Sequence, residues 1–133
     1  MEREMLSPHF AKDECSCRCG CGLCNATPRL LMMAEKIRDL LGEPMIVTSV
    51  CRCREHNAKV GGSPRSKHLL GRAMDFYCKR LSPQAVYDAI VRAWENGELS
   101  ELGGVGIYDW GIHIDTKKAP DGHLRRWDKR KAR

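Results

Sequence analysis

The chain has 133 residues, of which 42% are hydrophobic and 30% charged, and its formal net charge is +6. This length predicts one domain, residues 1–133, with a modest core, and no apolar stretch approaches the length of a membrane span. Residues 1–5 lack the basic start and the apolar run of a signal peptide. We therefore expect synthesis in the cytoplasm and no membrane partner.

Five of the eight cysteines crowd the N-terminal segment 15–24, and the others lie further along the chain. Without a signal peptide, metal binding gains weight against disulfides for such a cluster. Cys21 and Cys24 form a Cys-x-x-Cys knuckle, and Cys51 and Cys53 follow a predicted core strand. These four residues are therefore candidate ligands of a structural zinc ion. Disulfides and buried free thiols remain the alternatives.

Two amphipathic helices and several short strands are predicted after the cysteine-rich segment. Thr27 and Pro28 begin the first helix, since Thr is a good N-cap and Pro fits the first turn, and Gly42 ends it. Ser82 and Pro83 begin the second helix with the same chemistry. Strands are predicted over residues 45–50, 73–77, 105–108 and 112–116. This order predicts an α+β domain in which helices flank a small antiparallel sheet.

A mixed set of nitrogen and oxygen ligands is the most informative feature of the chain. His68 is followed by Gly71, which permits a bend, and by Asp75 on a predicted strand, while His113 lies on a later strand. Two histidines and a carboxylate are typical of a catalytic zinc site whose fourth position stays open for water. The sequence therefore predicts a hydrolytic zinc site at His68, Asp75 and His113.

The same residues carry a resemblance to a known family. The pattern Ser-x-His-x-x-Gly-x-Ala-x-Asp over residues 66–75, followed by His113 on a strand, resembles peptidase family M15, and within it subfamily A. These are zinc D-Ala-D-Ala carboxypeptidases and murein endopeptidases, and the similarity extends from about residue 6 to residue 127. It implies the fold shared with the hedgehog signalling domain. It also implies hydrolysis of peptide bonds in peptidoglycan stem peptides by metal-activated water.

The resemblance further implies roles for residues near the zinc ligands. Arg52 matches the family arginine that contacts a substrate carboxylate or the developing oxyanion. Family members commonly have Glu or Asp three residues before the last histidine, but Trp110 occupies that position here. We predict Asp109 as the general base, with Asp115 as an alternative base or as a residue that orients His113. A non-catalytic zinc module that binds cell wall or a protein is the alternative function.

The C-terminal segment 117–133 is rich in Lys and Arg. A solvated basic end and attraction to an anionic polymer are alternative interpretations. We interpret Trp127 as a packing anchor that ties this tail to the domain. No nucleic-acid partner is expected, because the basic residues are not interleaved with aromatic ones and no reading module is recognisable. The expected partner is peptidoglycan peptide, bound by a monomer that meets the cell wall after release or export.

Overall fold

The computed structural model describes residues 3–131, which form two sheets, four helices and one 3-10 turn. The strands are β1 (Met5–Ser7), β2 (Phe10–Ala11), β3 (Ile46–Ser49), β4 (Ala73–Tyr77), β5 (Gly104–Ile107), β6 (Ile112–Asp115) and β7 (Arg125–Asp128). The helices are α1 (Lys12–Cys15), α2 (Pro28–Leu41), α3 (Arg54–Lys59) and α4 (Pro83–Glu95), and the 3-10 turn spans Lys67–Leu70. Within the described part of the chain, no helix is both long enough and apolar enough to cross a membrane.

The larger sheet has five strands in the order β3-β4-β6-β5-β7. The first four strands pair in antiparallel fashion, whereas β7 pairs with β5 in parallel. The predicted α+β class is confirmed, and the predicted antiparallel pairing holds for β3, β4, β6 and β5, whereas the parallel strand β7 makes the five-stranded sheet mixed. The fifth strand arises in the segment predicted as a basic tail, of which residues 132 and 133 lie outside the described residues. A parallel neighbour follows no hairpin turn, so local patterns give no sign of it.

The two long helices begin at the predicted capping residues. The Thr27 side chain accepts a hydrogen bond from the Leu30 amide at 3.2 Å, and the Ser82 side chain accepts one from the Ala85 amide at 3.1 Å. Gly42 ends α2 in the left-handed region with a φ of 66°, a conformation that costs glycine little. A side-chain cap of this kind contributes about 1 kcal/mol to helix stability.

Alternation along the central strands separates the core from the opposite face of the sheet. Apolar side chains of β4, β5 and β6 are buried in the hydrophobic core together with those of α2 and α4. These core-facing strand residues are Met74, Phe76, Val105, Ile107, Ile112 and Ile114. Because successive strand residues point to opposite faces, the residues between them lie on the other face: Asp75, Gly104, Gly106, His113 and Asp115.

Candidate metal centre

The face of the sheet opposite to the core brings the three predicted zinc ligands together. Asp75 on β4 is the direct antiparallel partner of His113 on β6. His68 comes from the 3-10 turn that precedes β4. One ligand atom from each residue lies within 4.8 Å of those of the other two. The structure therefore places one imidazole from a turn and two side chains from neighbouring strands at a single point.

Local backbone chemistry fixes the turn that carries His68. The Ser66 hydroxyl accepts a hydrogen bond from the His68 amide at 3.2 Å, which caps the turn. Gly71 ends the turn with a φ of 66°, and a Cβ atom there would lie 2.0 Å from the Asn25 carbonyl oxygen. Glycine is therefore required at this position both for the left-handed conformation and for the close approach of the Asn25 backbone.

The hydrogen bonds of His68 leave one nitrogen ready for a cation. Nδ1 lies 2.8 Å from the Val50 carbonyl oxygen, and because a carbonyl can only accept, Nδ1 carries the proton and donates it. Nε2 is buried and lacks a hydrogen-bond partner among residues 3–131, although Asp75 Oδ2 lies only 3.1 Å away. A buried polar atom without a partner calls for an explanation. A metal ion held by His68 Nε2 and the Asp75 carboxylate supplies one.

His113 is held between two carboxylates. Its Nε2 lies 2.9 Å from Asp115 Oδ2, and its Nδ1 lies 2.8 Å from Asp75 Oδ1. Burial lowers the pKa of His113, but hydrogen bonds to Asp115 and Asp75 outweigh it and raise the pKa to about 9. Burial raises the pKa of Asp75, and contacts with His113 and His68 outweigh it and lower the pKa. A positive charge is thus favoured beside Asp75. Two imidazoles and one carboxylate are also a set of ligands that catalytic zinc uses.

Asp115 is positioned to orient His113. Besides the His113 ring, its carboxylate accepts hydrogen bonds from the Lys117 amide, at 3.0 Å, and from the Arg125 guanidinium. Burial raises the pKa of Asp115, but the hydrogen bond with His113 and the charges of His113 and Arg125 lower it further than burial raises it. An ionised Asp115 that accepts from Nε2 keeps a proton on that nitrogen, which leaves Nδ1 as the nitrogen that would bind a metal ion beside Asp75.

Glycines on β5 let side chains from β7 reach the centre. Gly106 pairs with His113 on one side and with Trp127 on the other. A Cβ atom at Gly106 would lie 2.1 Å from Trp127 Nε1. Because Gly106 has no side chain, the Trp127 indole can lie across β5, with its ring centre 5.3 Å from that of His113. Its Nε1 donates to the Tyr108 hydroxyl at 2.9 Å, which gives the anchor predicted at Trp127 a defined partner.

A second glycine of β5, Gly104, likewise lets the Arg125 side chain reach Asp115. Gly104 pairs with both residues, and a Cβ atom there would lie 2.5 Å from Arg125 Nη2. The sequence did not single out Arg125, because it stands among many basic residues of the tail. The alternation of glycine with Val105 and Ile107 was the available signal. It marks a strand with one core face and one face kept free of side chains.

Arg52 lies beside the metal ligands in a fixed orientation. Its Nε donates to Ser49 Oγ at 3.1 Å and its Nη1 donates to Asn57 Oδ1 at 3.3 Å. Nη2 lies 3.5 Å from Asp75 Oδ2, and the side chain is 15% exposed. Asn57 is buried, and its amide nitrogen donates to the Ser63 carbonyl oxygen at 2.8 Å. Asn57 therefore positions Arg52, a role that the sequence did not reveal.

The predicted general base lies apart from this cluster. Asp109 is exposed, and its Oδ2 accepts a hydrogen bond from the Lys131 amide at 3.2 Å. It is not among the residues that line the cleft at the centre. Trp110, which does line the cleft, stacks on Tyr108 with ring centres 4.9 Å apart. Of the two carboxylates considered as base, the structure therefore brings Asp115 and not Asp109 to the ligands.

The cysteines assemble in a different combination from the predicted one. Cys24 and Cys51 stand outside the group that the structure brings together, which consists of Cys17, Cys19, Cys21 and Cys53. Cys51 lies two residues after the end of β3 and faces the core, where it is 1% exposed. Its sulfur accepts a hydrogen bond from the Asn25 amide at 3.2 Å. The predicted set Cys21, Cys24, Cys51 and Cys53 is thus corrected, because Cys51 is turned to the core.

A substitution at Gly106 tests the crossing of Trp127 over β5. We expect Gly106→Ala to lower the free energy of unfolding by about 1–3 kcal/mol, because the methyl group overlaps the indole. Urea unfolding of the two proteins measures the difference. In a Trp127→Ala background the same substitution is expected to cost far less. An equal loss in both backgrounds would show that the indole does not lie across Gly106.

Two imidazoles and a carboxylate, with a second carboxylate beside one imidazole and a fixed guanidinium nearby, form a candidate metal centre on an α+β domain, and this set of ligands is typical of hydrolytic zinc sites. The family model described as Peptidase M15 matches residues 8–115, which include the three candidate ligands, Arg52 and Asp115. The chain belongs to peptidase family M15. Membership makes it a hydrolase of the zinc-dependent metallopeptidase class. A comparison with curated proteins gave no match.

Proposed function

We propose that the protein is a zinc metallopeptidase that cleaves peptide bonds in peptidoglycan stem peptides, as a D-Ala-D-Ala carboxypeptidase or an endopeptidase. The observation that carries this proposal is the cluster of His68, Asp75 and His113 at the base of a cationic cleft of about 530 Å³. The same cluster on an α+β domain supports a fold of the hedgehog/DD-peptidase type. The protein acts as a monomer on cell wall that it reaches after release or export.

The residues of the centre divide into ligands and orienting groups. His68, Asp75 and His113 would hold the zinc ion, with Asp115 and the Val50 carbonyl fixing the two imidazole tautomers. When bound, zinc supplies polarisation of the scissile carbonyl and a lowered pKa for water. Burial of His68 and Asp75 reduces the screening of these charges by solvent.

The charge of the cleft favours an anionic substrate. Five basic side chains among the described residues line it, and they are Arg52, Arg65, Lys67, Lys117 and Arg125. The lining carboxylates, Asp75 and Asp115, are already engaged with the histidines and with arginines. A net positive lining attracts a peptide with free carboxylates. Stem peptides meet this requirement through their acidic residue and their C-terminus.

Arg52 is the residue best placed to bind such a carboxylate. Its guanidinium borders both the cleft and Asp75, and contacts with Ser49 and Asn57 hold it in one orientation. A fixed guanidinium can donate two parallel hydrogen bonds to a carboxylate, or stabilise the negative charge that develops on a carbonyl oxygen. Binding energy at Arg52 therefore aligns the scissile bond with the metal ligands.

The proposal is tested with purified peptidoglycan and with synthetic stem peptides that end in a free or an amidated carboxylate. We expect the wild-type protein to release new amino groups and to prefer the free carboxylate. Arg52→Lys is expected to lower kcat/KM on the free carboxylate by about 10–100-fold, because the bidentate contact is lost. The preference over the amidated peptide should shrink by a similar factor.

Arg54→Lys is the matched control, since Arg54 is exposed at the start of α3 and does not line the cleft at the centre. Zinc content should be equal in both variants and the wild type. Binding to peptidoglycan without release of amino groups, by protein that carries zinc at the His68 centre, would contradict the proposal. That outcome would favour a non-catalytic module, for which Trp110 at the position of the family acid is the specific support.

A further inference from the structure

A second cluster of metal-ligating side chains lies outside the candidate centre. The sulfur atoms of its four cysteines, Cys17, Cys19, Cys21 and Cys53, all lie within 4.8 Å of one another. The distance from Cys17 Sγ to Cys19 Sγ is 3.5 Å, and that from Cys19 Sγ to Cys53 Sγ is 3.7 Å. Tetrahedral zinc, with each sulfur about 2.3 Å away, sets neighbouring sulfurs about 3.8 Å apart. The observed spacing thus matches four ligands around one ion.

The backbone of the N-terminal segment is folded to direct its sulfurs to one side. The Cys17 amide donates to the Leu23 carbonyl at 2.8 Å, which closes the segment into a loop. Gly20 and Gly22 have φ values of 87° and 88°, a conformation that residues with a Cβ rarely adopt. Two glycines in the left-handed region, placed on either side of Cys21, allow a chain this short to bring three sulfurs to one point.

Backbone amides donate to two of the sulfurs. The Cys53 amide lies 3.4 Å from Cys17 Sγ, and the His56 amide lies 3.3 Å from Cys53 Sγ. Hydrogen bonds of this kind favour an ionised sulfur over a neutral one. The first of them also crosses between the two parts of the cluster, because Cys53 is 36 residues away from Cys17 along the chain.

We propose that Cys17, Cys19, Cys21 and Cys53 bind a structural zinc ion. A set of four thiolates leaves no position open for water or substrate, so this ion performs no reaction. The ion would join the N-terminal loop to Cys53, which directly follows Arg52. The Arg52 amide in turn donates to the His68 carbonyl at 3.1 Å. The ion therefore fastens the N-terminal segment to the loop that carries Arg52. The inference does not depend on the proposed peptidase activity.

Metal content per chain tests the second ion directly. Protein purified without added metal is expected to contain about two zinc equivalents, and Cys19→Ser about one. Cys24→Ser is the matched control, because Cys24 belongs to the same segment but stands outside the cluster, and it should keep both. Replacement of zinc by cobalt adds a spectroscopic readout. Sulfur-to-cobalt charge-transfer absorption should appear in wild type and in His68→Ala, and should be absent from Cys19→Ser.

Three outcomes would overturn the proposal. Loss of one zinc equivalent in Cys24→Ser but not in Cys19→Ser would assign the ion to other cysteines. Wild-type protein without sulfur-to-cobalt absorption would show that no thiolate site exists, even if Cys19→Ser failed to fold. A disulfide among the four cysteines, found by intact mass in protein kept under reducing conditions until denaturation, would exclude zinc there. None of these results bears on the zinc held by His68.

Discussion

His68→Ala is expected to lose about one zinc equivalent per chain and all measurable peptidase activity. Its Nε2 is buried without a hydrogen-bond partner among the described residues and lies 3.1 Å from Asp75 Oδ2, which is the position of a metal ligand. Asp75 and His113 alone leave two protein ligands, fewer than the three typical of catalytic zinc. Elemental analysis of metal content and release of amino groups from peptidoglycan measure the two effects.

A loss of folding must be separated from a loss of metal in this variant. The substitution also removes the donor to the buried Val50 carbonyl oxygen, which costs about 1–3 kcal/mol of stability. Circular dichroism therefore accompanies the metal analysis. His123→Ala is the matched control, because His123 is exposed and stands outside the cluster, and it should keep full zinc and activity. Unchanged zinc in folded His68→Ala would assign all of the metal to cysteines and remove the basis of the peptidase proposal.

The parts of the fold that local patterns encode could be predicted from the sequence. Capping by Thr27 and Ser82 marks the starts of α2 and α4, and alternation along residues 73–77 and 112–115 assigns Asp75 and His113 to one face. These features depend on neighbours within a few residues, where backbone geometry alone sets which side chains share a face. The ligand set follows from them together with the spacing of the residues.

The parts that depend on distant pairing could not be predicted in the same way. The parallel alignment of β7 with β5 brings Arg125 and Trp127 over Gly104 and Gly106. No periodicity in the tail encodes this alignment, because the β5 residues with which β7 pairs lie about 20 positions earlier in the chain. The matched family region also ends at residue 115, before β7 begins. Composition of the tail left a solvated end and attraction to an anionic polymer as alternatives, whereas tertiary structure brings its residues Arg125 and Trp127 beside the centre.

The cysteine set shows why spacing does not select metal ligands by itself. Cys51 and Cys53 are two residues apart, yet Cys51 is turned to the core and Cys53 to the N-terminal loop. The sequence pattern is the same for both, because each is a cysteine shortly after a predicted strand. Gly20 and Gly22 adopt positive φ angles in the loop that carries Cys17, Cys19 and Cys21, and in the folded chain it is the Cys53 sulfur that lies among theirs. Such angles are set by tertiary contacts as much as by glycine itself.

Asp115→Asn is expected to lower both zinc affinity and activity by about 10–100-fold. The amide keeps the size of the carboxylate but loses the charge that stabilises the Nε2 proton of His113 and the pairing with Arg125. Zinc affinity, measured by competition with a chelator, and kcat/KM should fall together, because Asp115 acts through the orientation of His113. Asp109→Asn is the matched comparison and should stay within about twofold of wild type, as an exposed substitution away from the cleft.

The two readouts separate orientation from proton transfer. If Asp115 orients His113, its loss weakens metal binding, and activity returns in part when zinc is supplied in excess. A general base has no such effect, because its loss lowers kcat while the affinity for zinc stays unchanged. A large fall in kcat for Asp109→Asn at full zinc content would therefore contradict our expectation. It would mean that substrate binding draws Asp109 away from the Lys131 amide and into the cleft, and would establish Asp109 as the base despite Trp110 at the usual position.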